Sequence, residues 1–254
     1  MYMKKIKQLG IFDSGLGGYT VYQDLKVHFP ELSMVLFADQ KYAPYGNYDN
    51  ETIIKLATRS MNWFLSQEIT DVLLACNTVT SVALETLQER FPTMRIWGIV
   101  DLTLSQLPKT PIEVGVVATQ ATVSAHAYKK EFEKNYQGNI REIAMKDLAF
   151  AIESLEDDAT IDKMIQDAMQ KLKDVSHIIL GCTHYPLVKD QFEKASDAIF
   201  LDSMLPIREF VGENYEKTSG EKRVVTTKDD AILKNQIKVL FKEDEEVEKV
   251  CASL

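Results

Sequence analysis

Short apolar runs alternate with amphipathic segments along nearly the whole chain. Residues 51–66 carry apolar side chains at helical spacing, with Asn50 as the predicted N-cap, and residues 160–173 carry a similar apolar stripe. Both segments are therefore predicted to be helices. The short apolar runs predict strands at residues 8–12, 34–38, 72–75, 96–100, 114–118, 140–144, 178–181, 199–201 and 224–227.

This alternation of strands and helices favours an α/β fold with mainly parallel sheets. No low-complexity segment or long linker interrupts the pattern. Residues 107–111, which hold Pro108 and Pro111, are the predicted crossing point between two lobes.

Two segments of the chain share one pattern: an apolar run, a small residue, a cysteine, and polar residues that lead into a helix-forming stretch. Cys76 has this position in VLLACNT at residues 72–78, and Cys182 has it in IILGCTH at residues 178–184. In open α/β sheets, ligands bind beyond the carboxyl ends of the strands, where both cysteines fall. The repeat therefore predicts two similar lobes that each contribute a thiol to a shared cleft.

A cysteine between a strand and a helix is placed for acid–base chemistry. The positive end of the helix favours the thiolate, so we expect the pKa of such a thiol to be lowered. His184, two residues after Cys182, is placed to activate that thiol or to protonate a substrate amine. Pro186 fits the first turn of the following helix. One such cysteine is as readily explained as a small buried apolar residue, but the second copy favours a catalytic pair.

The glycine-rich loop DSGLGG at residues 13–18 follows the first predicted strand and leads into a helix near Tyr19. Its glycines allow a tight turn or a close backbone approach to a ligand, and the helix N-terminus favours an anion. The spacing matches neither GxGxxG nor a P-loop, so nucleotide binding is not supported. A second loop, PYG at residues 44–46, is by itself typical of a turn.

Composition narrows the classes of function further. The chain has 254 residues, of which 45% are hydrophobic, enough for one large or two small α/β domains. A formal net charge of −9 without a basic cluster argues against nucleic acid and anionic membranes as partners. The sequence shows no membrane span and no signal peptide, so we expect a cytoplasmic protein. The three cysteines lack CxxC spacing, which favours free thiols over disulfides or a metal site.

Two features near the C-terminus have ordinary interpretations. Cys251 has no partner motif, and we expect it to be structural. The acidic run at residues 243–246 is expected to be a solvated loop.

Four motifs occur together and in a fixed order: DSGLGG at residues 13–18, PYG at 44–46, ACNT at 75–78 and GCTHYP at 181–186. A weaker match covers residues 118–128. This combination resembles the glutamate racemase family over most of the chain. Related aspartate and hydantoin racemases share the paired cysteines but generally not the DSGxGG opening.

The resemblance implies two similar three-layer α/β domains with mainly parallel sheets and an active site in the cleft between them. The second domain is inserted in the first, with a break near Ile99 and a return near Arg208. The expected domains are therefore residues 1–99 plus 208–254, and residues 100–207. The resemblance further implies a homodimer that interconverts L- and D-glutamate without metal, pyridoxal phosphate or another cofactor, and that supplies D-glutamate for peptidoglycan.

The resemblance also implies roles for individual residues. Cys76 and Cys182 are the expected acid/base pair, with Asp13 assisting Cys76 and His184 assisting Cys182. Glu153 matches a family glutamate near the cleft. The residues expected to bind the substrate are Asp13, Ser14, Tyr45, Gly46, Asn77, Thr78, Thr183 and His184.

Three positions depart from the family pattern: Ala118, the run at residues 148–152 before Glu153, and Lys228, where the family tends to have glycine. They leave room for an aspartate racemase or a broader amino-acid racemase. Two alternatives come from other classes. A redox or thiol-transfer enzyme predicts a nearby resolving cysteine, and a non-catalytic binding protein would not need both strand-end cysteines.

Overall fold

The computed structural model of the protein describes residues 5–251. Its strands are β1 (Gln8–Asp13), β2 (Ser33–Ala38), β3 (Asp71–Leu74), β4 (Arg95–Trp97), β5 (Ile112–Ala118), β6 (Gly138–Ala144), β7 (His177–Gly181), β8 (Ile199–Leu201), β9 (Lys222–Thr226) and β10 (Val247–Lys249). Its α-helices are α1 (Gly18–His28), α2 (Asn50–Ser66), α3 (Asn77–Arg90), α4 (Val100–Leu104), α5 (Gln120–Ala125), α6 (Ala127–Asn135), α7 (Leu148–Glu153), α8 (Asp158–Met169), α9 (Lys189–Ala195), α10 (Met204–Asn214) and α11 (Asp230–Phe241).

The strands of residues 5–251 form two sheets, in which every neighbouring pair is parallel. One sheet has the order β10-β9-β2-β1-β3-β4 and the other β6-β5-β7-β8. The run β2-β1-β3-β4 thus repeats the order of the whole second sheet. The predicted α/β class with two similar lobes is confirmed.

Helices cover both faces of each sheet, because successive side chains of a buried strand point to opposite faces. In the first lobe, Leu9 and Ile11 pack towards α1, α10 and α11, whereas Phe12 packs towards α2 and α3. In the second lobe, Leu180 packs towards α7, α8 and α9, and Ile179 packs towards α4 and α6. Each lobe therefore has three layers and a core on either side of its sheet.

The chain passes between the lobes twice. It leaves the first sheet after β4 and reaches β5 through α4 and residues 105–111, which include the predicted crossing point at residues 107–111. It returns from β8 through α10 to β9. The strands of the larger sheet thus lie on either side of an insertion that holds the smaller sheet, while the residues of the domain boundary stay a prediction.

Some predicted element ends are wrong. The strand predicted at residues 96–100 ends at Trp97, because the Ile99 carbonyl accepts hydrogen bonds from the Thr103 backbone and hydroxyl and so begins α4. Asp49 rather than Asn50 caps α2, and its side chain accepts from the Thr52 backbone N–H at 2.8 Å.

The C-terminal region differs most from expectation. The short edge strand β10 was not predicted. The acidic run is not simply solvated, since Glu243 and Glu245 accept hydrogen bonds from the Tyr19 hydroxyl at 2.8 and 2.9 Å. Lys26 of α1 pairs with both carboxylates. Cys251 is a free and exposed thiol, so it has no place in the core.

In residues 5–251, no helix is both long enough and apolar enough to cross a membrane.

Candidate active site

A cavity of about 180 Å³ lies where the carboxyl ends of the two sheets meet. Both motif cysteines line it, Cys76 from the first lobe and Cys182 from the second. The other lining residues are Ser14, Gln40, Ala43, Pro44, Tyr45, Gly46, Asn77, Thr78, Thr119, Ala149, Phe150, Glu153, Ser154, Thr183, His184, Lys228 and Gln236. The volume is below the usual range of roughly 300–1,000 Å³ for drug-sized ligands and suits a small metabolite.

Cys76 follows β3 and is the N-cap of α3, as its motif predicts. Its thiol is buried, and its Sγ lies 3.4 Å from the Ser14 hydroxyl oxygen. Burial, together with the charge of Asp13, raises the pKa of Cys76 to about 12, although the Ser14 hydrogen bond lowers it. The expectation of a lowered pKa is therefore wrong for this thiol, because removal from water outweighs the favourable helix end.

Cys182 follows β7 directly but does not begin an α-helix. The next residues form a 3₁₀ helix, Tyr185–Val188, with Pro186 in its first turn, and α9 starts only at Lys189. What accompanies this thiol is an imidazole instead: the Cys182 Sγ lies 3.7 Å from the His184 Nδ1. This direct contact supports the expectation that His184 assists Cys182.

His184 also contacts Glu153, which lies at the end of α7. The His184 Nε2 is 2.8 Å from a Glu153 carboxylate oxygen. Burial works to lower the pKa of His184, but the contacts with Cys182 and Glu153 hold it well above its usual value. Burial works to raise the pKa of Glu153, but His184 and Gln40 keep it below its usual value. These pKa shifts favour an imidazolium that faces a carboxylate, whereas the Gly17 backbone N–H, which donates to the same His184 Nε2 at 3.2 Å, favours an unprotonated nitrogen there.

Asp13 is fully buried at the end of β1, just behind the cavity lining. Its carboxylate accepts hydrogen bonds from the Gly15 backbone N–H at 2.8 Å and the Thr183 hydroxyl at 3.0 Å. Burial raises its pKa from 3.8 to about 6, although His184 lowers it. Ser14, rather than Asp13, makes the hydrogen bond to Cys76, while Asp13 acts on that thiol through its charge.

The glycines of the first loop are explained by close approach between the lobes. A Cβ on Gly15 would lie 2.5 Å from a carboxylate oxygen of Glu153. A Cβ on Gly17 would lie 2.3 Å from the Thr183 hydroxyl and 2.6 Å from the His184 Nδ1. A side chain at either position would therefore push the two lobes apart at the cavity.

Polar groups on the floor of the cavity are suited to hold a small charged ligand. The Asn77 Oδ1 accepts from the Tyr128 hydroxyl at 2.5 Å, which fixes the amide, while its buried Nδ2 has no hydrogen-bond partner within residues 5–251. A buried donor without a partner is costly, and a ligand acceptor would satisfy it. The Thr78 hydroxyl lies 2.8 Å from that of Thr119, across the boundary between the lobes.

The PYG loop forms one wall of the cavity. The Tyr45 hydroxyl donates to Asp39, which also pairs with Arg59, so this hydroxyl is occupied by the protein itself. Gly46 lies against Thr119, and a Cβ there would be 2.8 Å from the threonine Cβ.

The structure brings all the predicted site residues together, with Asp13 behind the lining and the others on it. Sequence reasoning missed several lining residues, of which Gln40, Thr119, Phe150, Lys228 and Gln236 are the most notable. Thr119 could have been found, because it follows β5 as the cysteines follow β3 and β7. The two glutamines carry no signal of this kind.

The side chains present bear on what the cavity can hold. Within residues 5–251, no group of three or more histidine, cysteine, aspartate or glutamate side chains is arranged to bind a metal ion. The chemistry that the residues themselves offer is proton transfer, since two thiols, an imidazolium and two carboxylates surround one small space.

A two-lobed α/β protein in which each lobe directs a cysteine into one small cavity is built for thiol acid–base chemistry. The family model described as Asp/Glu/Hydantoin racemase matches residues 35–205. The chain belongs to this racemase family.

Curated relatives and solved structures agree with this assignment. The glutamate racemase of Lactobacillus johnsonii is 35% identical over 191 residues, covering 73% of this chain and 71% of the relative. The glutamate racemase of Persephonella marina is 33% identical, with 73% of each chain covered. The crystal structure of the Thermus thermophilus glutamate racemase with β-chloro-D-alanine has a TM-score of 0.83 at 25% identity, with 98% of both chains covered.

Proposed function

We propose that this protein is a glutamate racemase that uses Cys76 and Cys182 as its two bases. The observation that carries the proposal is that each lobe contributes one buried thiol to the same small cavity. The curated relatives named glutamate racemase support glutamate as the substrate.

Racemisation removes the α-proton from one face of the substrate and returns a proton to the other face. Two bases on opposite faces achieve this without moving across the substrate, provided that one is a thiolate while the other is a thiol. The α-proton is weakly acidic, so negative charge that develops on the carboxylate side needs fixed donors. Asn77, with its free Nδ2, and Thr78 supply such donors on the floor of the cavity.

The surroundings of the two thiols suit this exchange of roles. The His184 Nδ1 lies 3.7 Å from the Cys182 Sγ, where it can exchange a proton with that thiol, whereas burial raises the pKa of Cys76 and keeps it a thiol. One enantiomer would then lose its proton to Cys182 and gain one from Cys76. In the other direction Cys76 must give up its proton. The Ser14 hydroxyl is the group in contact with its Sγ, while Asp13 acts on this thiol through its charge.

The test is circular dichroism of each enantiomer of glutamate and of aspartate incubated with purified protein, in chelator and without pyridoxal phosphate. Glutamate should racemise from both sides to a zero signal. Faster turnover of aspartate than of glutamate would contradict glutamate as the preferred substrate but would not contradict the two-thiol mechanism. Activity that is lost in chelator and restored by zinc would overturn the expectation that neither a metal nor another cofactor is needed.

The proposal extends to the organisation of the protein. The strand membership of the two sheets supports domains at residues 1–99 plus 208–254 and at residues 100–207. A homodimer, a cytoplasmic location and a supply of D-glutamate for peptidoglycan rest on the family membership alone. Light scattering of the purified protein across a dilution series tests the dimer.

A further inference from the structure

Glu153 belongs to the second lobe, but two of the groups that donate hydrogen bonds to its carboxylate belong to the first lobe. One carboxylate oxygen faces the His184 Nε2 at 2.8 Å and accepts from the Leu16 backbone N–H at 3.3 Å. The other accepts from the side-chain amide of Gln40 at 2.8 Å. Both oxygens are thus committed, and the residue has little freedom to turn away from the imidazole.

Gln40 lies two residues after β2 and is buried, and Gln236 lies on α11 and is buried as well. The Gln40 Nε2 donates to Glu153 and, at 2.8 Å, to the side-chain oxygen of Gln236. The Gln236 Nε2 donates at 2.8 Å to the main-chain carbonyl of Glu153, at the end of α7. Since both partners of the Gln40 amide nitrogen are acceptors, the orientation of that amide is fixed.

These contacts make Gln40 and Gln236, the amide pair, a link between the lobes at Glu153, whose carboxylate faces the His184 Nε2. An amide donor fixes a carboxylate without neutralising it. A lysine or arginine in the same place would compete with His184 for the negative charge. The chemistry of the amide pair is therefore suited to orient Glu153 while leaving its charge for the imidazolium.

We propose that the amide pair is a positioning device that holds the Glu153 carboxylate against His184 and thereby keeps an imidazolium beside Cys182. This inference deepens the proposed function and rests on it for its catalytic meaning. The titratable groups that act on His184 are Cys182, Glu153 and Asp13. Of these, Glu153 is the one that the amide pair contacts.

The variants that test the proposal are Gln40→Met and Gln236→Met, which keep size but remove the amide. The matched control is Gln106→Met. The Gln106 side-chain amide also donates hydrogen bonds, to the backbone carbonyls of Asp202 and Thr103, but Gln106 is not among the residues that line the cavity. NMR titration of the histidine ring signals, with His184 assigned by its absence from His184→Gln, gives a readout that needs no substrate.

In the parent protein His184 should stay protonated well above its usual range. In Gln40→Met its midpoint should fall by about one pH unit, the size expected for the loss of one hydrogen bond to a charged group. Gln236→Met should shift it in the same direction by less, because the bond between Gln40 and Glu153 remains. Gln106→Met should leave it unchanged.

Activity supplies the second readout. For glutamate racemisation, kcat should fall about tenfold in Gln40→Met with KM changed less than about threefold, and the alkaline limb of the pH profile should move to lower pH. An unchanged His184 midpoint in both glutamine variants, or an equal shift in Gln106→Met, would overturn the inference. Absence of racemase activity in the parent protein would overturn the proposed function instead, and the titration would still decide the positioning role.

Discussion

The two thiols occupy the same topological place in two similar sheets, yet their surroundings differ. Cys76 begins an α-helix, contacts the hydroxyl of Ser14 and has a buried carboxyl behind it. Cys182 is followed by a 3₁₀ turn and contacts an imidazolium held by a carboxylate. The fold thus places two thiols equivalently for a reaction between mirror images, while the groups that can exchange a proton with each thiol differ.

The correspondence between the lobes extends past the cysteines. Ser14 follows β1, the strand beside β3, and Thr119 follows β5, the strand beside β7. Ser14 contacts Cys76, whereas Thr119 contacts Thr78 of the opposite lobe. Ser14 thus lies next to the thiol of its own lobe, whereas its counterpart Thr119 links the second lobe to the first.

The largest effect is expected from removing either thiol. Cys76→Ser and Cys182→Ser keep the shape but replace each thiol with a far weaker acid, so each should lower racemisation of glutamate by about 10³-fold or more. The matched control is Cys251→Ser, which changes a free, exposed thiol and should keep the parent rate. If either cavity variant racemised glutamate at near the parent rate, the substituted cysteine would not be one of the two bases.

Asp13→Asn is expected to stabilise the folded protein but to slow racemisation. Because burial raises the pKa of Asp13 from 3.8 to about 6, the folded protein holds this proton more tightly than the unfolded chain. Stability is therefore lost as pH rises from about 4 to about 6, by about 3 kcal/mol in all.

Asp13→Asn should accordingly raise the free energy of unfolding at about pH 7.5 by up to that amount, with little gain at about pH 3.5, and should slow racemisation. Urea denaturation at the two pH values measures the effect. A gain of equal size at both values would contradict the assignment of the cost to the ionised carboxylate.

A smaller effect is expected from Lys228, which lines the cavity. Its ammonium is the only lysine or arginine charge among the lining residues, so it should favour a dicarboxylate. Lys228→Met should raise KM for glutamate about two- to fivefold with kcat unchanged, and should weaken the dependence of kcat/KM on salt. The exposed Lys249→Met serves as control, and equal KM values in parent and variant would remove Lys228 from substrate recognition.

Much of this site could be predicted from the sequence, because strand-end positions are local. The apolar runs before Cys76, Cys182 and Asp13 place each residue at a carboxyl end, and parallel sheets bring such ends together. Gln40 and Gln236 could not be predicted, since their partner Glu153 is distant in sequence and lies in the other lobe.

The remaining errors have the same origin. Residues 247–249 read as Val-Glu-Lys, too short and polar to be identified as the strand β10, which is defined by pairing with β9. The expectation that the pKa of Cys76 is lowered took account of the helix end alone. The depth of burial, which raises that pKa, depends on how the second lobe covers the cavity.

The central claim is that Cys76 and Cys182 act on opposite faces of the α-carbon. It is tested most directly with a glutamate analogue that carries a leaving group on its β-carbon, because elimination of HX needs only one base. Cys76→Ser should eliminate from the enantiomer whose α-proton faces Cys182, and Cys182→Ser should eliminate from the other. Opposite enantiomer preferences of the two variants are the predicted result, and a shared preference would contradict the account.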